Sequence, residues 1–169
     1  MKKVYQRIVD ANKGDCMQAT MASLFDEEYE NVPPFINLGD GWFSEMLKFI
    51  KERGYSYDGE FHNKQWSMVL MPTGSCFQEE KWHNPSMLTK ANLRKSGGVN
   101  GFFFAVVLSP KFFNYNEGFT KTHAVVCDVN FNIVHDPSPV YQNILKYPLS
   151  DVIGKNGIIS VYDLKCINK

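Results

Sequence analysis

The chain has no surplus of charge of either sign: 18 lysines and arginines balance 18 aspartates and glutamates among 169 residues. A generally basic surface, the electrostatic footprint of a nucleic-acid binder, is therefore not expected. Long apolar runs are also missing. The longest, Phe102 to Leu108, has seven residues, against the roughly 18 to 20 that a bilayer-spanning helix needs. The start, MKKVYQRIVDANK, is charged but leads into no apolar stretch, so neither a secretory signal nor membrane attachment is expected. Cysteine is sparse. Cys16, Cys76, Cys127 and Cys166 are widely scattered, with no CxxC pair, and without an export signal they read as free thiols in a reducing compartment. No repeat, low-complexity tract or linker interrupts the chain, and its length suits one domain spanning residues 1–169.

Aromatic residues are plentiful: 13 Phe and 8 Tyr, enough to build a core from bulky rings. The first expected helix runs from Asp15 to Phe25, with Asp15 as its N-cap and Gly14 permitting a sharp entry. Its small residues Ala19, Thr20, Ala22 and Ser23 predict close packing at the centre of the fold. After the prolines Pro33 and Pro34, a second helix is expected from the spacing of Trp42, Phe43, Met46, Leu47, Phe49 and Ile50, stopped by Gly54. Strands are expected at Trp66–Met71, Phe102–Leu108, Thr122–Asp128, Asn132–His135 and Ile158–Leu164. The segments Thr73–Gly101 and Phe112–Lys121 read as loops that shape a site. Helices first and strands later predict an α+β fold, with N-terminal helices packed on a largely antiparallel sheet.

Chemistry concentrates on three residues in chain order: Cys16, His123 and Asp136. Cys16 follows the expected cap, so its sulfur lies where unpaired amides and the helix dipole stabilise a thiolate. His123 opens the strand THAVVCDV and Asp136 closes NIVHD. A turn centred on Val129 and Asn130 places the two directly opposite, on one face. A carboxylate beside an imidazole favours the imidazolium, which in turn favours the thiolate. Acyl transfer also needs donors for an oxyanion. The Cys16 amide is one; Gln6 and Asn12 are the candidates for a second, with Gln6 preferred for its reach and Gln18 disfavoured because it lies on the helix.

The motifs GDCMQATMAS, NVPPF, HAVVCDV and IVHDPSP, preceded by Gln6, resemble the papain-like cysteine peptidases. The nearest flavour is the bacteriocin-leader (double-glycine) peptidases, and more closely still the small uncharacterised proteins of bacteriophages and prophages. The resemblance extends over most of the chain. It implies a papain-like fold, Cys16 as nucleophile, His123 as general base, Asp136 as its orienting acid and Gln6 in the oxyanion hole. Gln6 lies ten residues before Cys16, farther than the glutamine of that family stands from its cysteine. The expected activity is hydrolysis of an amide, isopeptide or thioester bond in a protein, peptide or small acyl substrate of a bacterial host, in the host cytoplasm. No cofactor is expected. A metal is not expected either, since single ligands from three distant segments carry no zinc signature.

Other readings use the same residues. An amine acceptor in place of water makes the protein an acyltransferase or transglutaminase. A scaffold that only captures a ligand makes it a binding protein, and a particle component is a third class. Cys76, Cys127 and Cys166 read as buried hydrophobes, although strand alternation puts Cys127 on the face of His123. His135 alternates to the other face and reads as structural or exposed; His62 and His83 carry no role.

Overall fold

The computed structural model describes residues 1–10, 12–62, 90–114, 119–142, 144, 146–148, 150 and 157–167. The expected strand Trp66–Met71, Cys76, His83 and much of the Thr73–Gly101 segment lie outside these residues. The described helices are α1 (Cys16–Leu24), α2 (Trp42–Glu52) and a short α3 (Lys90–Ser96). Short 3-10 segments, Tyr29–Asn31 and Phe35–Gly41, the latter kinked at Gly39 (φ 52°), connect α1 to α2. The strands are β1 (Tyr55–His62), β2 (Phe102–Asn114), β3 (Phe119–Asp128), β4 (Ile133–His135) and β5 (Ile158–Cys166). They form one antiparallel sheet in the order β1-β5-β2-β3-β4. The α+β class follows. Among the described residues no helix is long and apolar enough to cross a membrane.

The run Phe102–Leu108 is continuously apolar because both sheet faces are covered. Phe104, Ala124, Val126, Tyr162 and Leu164 join Ala19, Ala22, Met46, Phe49 and Ile50 in one core cluster, which puts α1 and α2 against that face. Phe103, Ala105, Val107, Val125, Cys127 and Val161 turn to the other face, with Leu93 of α3, Phe131 and Tyr147. Fully buried side chains such as Met21 and Phe103 each contribute about 1.5–3 kcal/mol by leaving water. Helix α1 is buried from Gln18 to Leu24, so its small residues do set a close central packing, and a helix covered all round needs no polar stripe.

Three expectations need correction. The segment Phe112–Lys121 is largely not a loop: β2 runs to Asn114, β3 starts at Phe119, and Phe113 pairs with Thr120 past an irregularity. Strand β1 has no counterpart among the expected strands because its alternation breaks at a bulge between Tyr57 and Gly59, where Gly59 takes φ 124°. Within Thr73–Gly101, residues Lys90–Ser96 are the helix α3, which buries Leu93 completely.

Candidate active site

Helix α1 begins where Gly14 passes so close to Asp10 that a Cβ would lie 2.5 Å from its carbonyl oxygen. That is a reason for glycine before Asp15. Asp15 holds the N-cap position, but its side chain makes no capping bond to the helix. Its carboxylate instead accepts the backbone amides of Arg7 (2.9 Å) and Ile8 (3.0 Å) and the hydroxyl of Tyr29. Three donors satisfy a buried anion that would otherwise be costly to bury. Asp15 therefore fastens the N-terminal segment across the start of α1, next to Cys16.

Cys16 is half-buried at that start. Burial by itself pushes its thiol up. A hydrogen bond from His123, the charge of that imidazole and the Ala124 backbone amide outweigh burial, and the thiol is held below its ordinary value despite the nearby Asp15 charge. His123, on β3, is 5% exposed, and its Nε2 lies 2.7 Å from Asp136 Oδ1. Burial pulls His123 down, yet the bonds to Asp136 and Cys16 and their negative charges prevail, so its pKa is raised. Asp136 is also desolvated, which works against its charge. The His123, Tyr147 and Ser138 donors overcome this and hold it below the usual carboxylate range. The electrostatics favour a thiolate–imidazolium pair on an ionised carboxylate.

The register that brings His123 to Asp136 is not the simple one. The turn after β3 is wider than Val129–Asn130: Asp128 Oδ1 accepts the amides of Asn130 (2.8 Å) and Asn132 (2.9 Å), and Phe131 takes φ 63°. Val126 then pairs with His135 and Cys127 with Ile133, across a bulge. The ladder at Val126 is displaced by two residues from the expected one. The displacement is one residue at Cys127 but two from Val126 onward, and an even displacement keeps side chains on their face, so Asp136 still reaches His123, from just beyond the end of β4 rather than from directly opposite.

Two tyrosines complete the surroundings. The Tyr147 hydroxyl donates to Asp136 Oδ2, while the Ser138 amide donates to Oδ1 at 2.8 Å. The Tyr141 ring meets the His123 ring edge-on, with centroids 5.2 Å apart. Its hydroxyl is tied to β2 by the Ser109 hydroxyl (3.2 Å) and the Lys111 amide (3.1 Å). Neither tyrosine carries a sequence signal, because both follow Asp136 in a turn-rich stretch with no periodicity.

Gln6 is buried, and its backbone amide donates to the Pro137 carbonyl at 2.9 Å. Its side-chain Nε2 donates to the Ile8 carbonyl at 2.8 Å, and its Oε1 is buried without a partner among the described residues. Asn12 is exposed, and its Oδ1 accepts from Lys121 at 3.0 Å. Gln18 donates to the carbonyls of Tyr29 and Val32 and belongs to the helix packing. His135 is buried, with Nε2 2.8 Å from the Val4 carbonyl, so it is structural and not exposed. Cys127 lies wholly within the apolar cluster on the sheet face away from α1 and α2, where burial first and the Asp128 charge second push its thiol up to about 12. A cleft of about 750 Å³ along β4 includes Asp136, Tyr141 and Tyr147 in its wall but neither Cys16 nor His123. It meets the cluster at Asp136 and not at the thiol. Among the described residues, no group of three or more His, Cys, Asp or Glu is placed to hold a metal ion.

Comparisons with protein-family models, curated proteins and solved structures give no match to this chain.

Proposed function

We propose that the chain is a cysteine-dependent acyl hydrolase of papain-like architecture, acting through Cys16, His123 and Asp136. The observation that supports it is one buried imidazole, with Nε2 2.7 Å from Asp136 Oδ1, that also holds the Cys16 thiol below its ordinary value. The Cys16 thiolate attacks a carbonyl carbon, and the carbonyl electron pair moves to oxygen. The Cys16 backbone amide and the Gln6 side chain receive that oxyanion; one amide hydrogen of Gln6 is held by Ile8, which leaves the other for this role. Collapse of the tetrahedral adduct breaks the bond to the leaving group, which takes the proton of the His123 imidazolium. Water then attacks the acyl-thioester, His123 accepts its proton, and the acid leaves as the thiolate is restored. Asp136 keeps the ring oriented and its cationic form stabilised.

The substrates that suit this chemistry are an amide, isopeptide or thioester of a protein, peptide or small acyl compound. The motif resemblance favours a phage-encoded enzyme acting inside a bacterial host. The test is the pH dependence of thiol alkylation, followed residue by residue by mass spectrometry in wild type and His123→Ala. At pH 6.5 an ordinary thiol is about 1% ionised, so Cys16 is expected to react roughly tenfold or more faster than Cys166. That advantage disappears in His123→Ala. Equal reactivity of the two cysteines, unaffected by His123, removes the hydrolase reading and leaves a capture role for the site.

A further inference from the structure

We propose that Tyr147 is the positioning residue of this site: its hydroxyl binds the second oxygen of Asp136 and keeps the first aimed at His123. Oδ1 of Asp136 has two partners, His123 at 2.7 Å and the Ser138 amide at 2.8 Å, and Oδ2 accepts from Tyr147. The Asp136 side chain is 8% exposed, so an Oδ2 without its phenol is a poorly hydrated anionic oxygen. The carboxylate then answers by turning about its terminal torsion or by taking a proton, and either weakens its hold on His123.

Tyr147 is well placed to prevent this, because the core locates its ring. Tyr147 belongs to the apolar cluster of Leu93, Ile158 and Val161, which also includes Val107, the strand partner of His123. Gly157, at the entry to β5, approaches so closely that a Cβ would lie 3.0 Å from Tyr147 Cβ. Burial and then the Asp136 charge push the phenol above its ordinary range, so it remains a neutral donor wherever Asp136 is ionised. Among the described residues the other titratable groups around Asp136 are His123 with Cys16 beyond it, the adjacent His135, and Tyr141. Lys3 and Lys146 share the cleft along β4.

This inference rests on the proposed triad, but its test does not pass through the thiol. The full chain is labelled at aspartate carboxyl carbons and titrated by NMR, with the Asp136 signal identified by its loss in Asp136→Asn. Removing one hydrogen bond from a carboxylate raises its pKa, so Tyr147→Phe is expected to move the Asp136 midpoint up by about one unit. An unchanged midpoint overturns the proposal and reduces Tyr147 to a packing residue. A second measurement needs no variant: with labelled tyrosine, one phenolic carbon signal shifts at the Asp136 midpoint, and its absence overturns the proposal as well. Ordinary alkylation of Cys16 with a shifted Asp136 midpoint removes the hydrolase and leaves the Tyr147–Asp136 link. Fast, His123-dependent alkylation with an unmoved midpoint does the reverse.

Discussion

The backbone amide of Gln6 donates to the carbonyl of Pro137 at 2.9 Å, which joins the start of the chain to the loop that presents Asp136. The same short segment is fastened at several other points. Val4 donates to Ser23 Oγ on α1 at 2.9 Å, its carbonyl meets His135 at 2.8 Å, and Arg7 and Ile8 donate to Asp15. Residues 4–8 thus form a strap between the helix that carries the thiol and the strand end that carries the carboxylate. Its anchor is a buried anion, Asp15, next to Cys16 in the chain.

Removing that anchor has a definite expected cost. Asp15→Ala leaves the amides of Arg7 and Ile8 and the Tyr29 hydroxyl without their acceptor. The loss of a buried charged acceptor with several donors is worth about 2–4 kcal/mol. Urea unfolding is expected to show a lower midpoint; Cys16 alkylation is no readout here, because losing the Asp15 charge by itself favours the thiolate. If Asp15→Ala unfolds at the wild-type midpoint, the strap has no such role.

The thiolate–imidazolium pair makes stability depend on pH with a sign that can be worked out. His123 is raised to about 9 in the fold, so its contribution is complete below the unfolded histidine value of about 6.5 and is lost as pH rises through about 9. Cys16 is lowered, so its contribution is present above the unfolded thiol value and is lost as pH falls through the folded one. The pair is therefore intact only in the window between the depressed thiol and the raised imidazole. The Tm difference between wild type and Cys16→Ser is expected to be greatest near neutral pH and to shrink above pH 9. A difference that stays constant from pH 5 to pH 10 contradicts the pair.

What the sequence made legible was governed by local signals. Gly14, Asp15 and the small residues of α1 marked the helix that carries Cys16, and the apolar run Phe102–Leu108 marked the strand that both core clusters share. His123 and Asp136 came together although the expected turn was too tight, because the displacement of two residues preserved their face. The Asp15 carboxylate was misread for a physical reason: a cap residue's alternative partners, here Arg7, Ile8 and Tyr29, lie in other segments that propensity cannot bring together. Tyr141 and Tyr147 were invisible on the same ground, since a phenol after a turn looks alike whether it faces solvent or a carboxylate. Strand β1 escaped because its bulge at Asp58 and Gly59 breaks the alternation by which strands are recognised.

The oxyanion assignment separates from the thiolate experimentally. Gln6 donates to Ile8 through its side-chain nitrogen, and its remaining amide hydrogen matters only once negative charge develops on a substrate oxygen. Alkylation by iodoacetamide passes through no oxyanion and so is expected to proceed normally at Cys16 in Gln6→Ala. Acylation by an activated ester such as p-nitrophenyl acetate does pass through one, and a lost oxyanion donor slows such steps by about 10²–10³-fold. Gln6→Ala is thus expected to lower the acylation rate steeply while leaving the alkylation rate within about twofold, since the thiolate depends on His123 and the Ala124 amide. Asn12→Ala is expected to change neither rate, because its side chain is exposed and bound to Lys121. The reverse pattern, with Asn12→Ala slowing acylation and Gln6→Ala harmless, transfers the role to Asn12. Equal slowing of both reactions in Gln6→Ala makes Gln6 a part of the strap and nothing more.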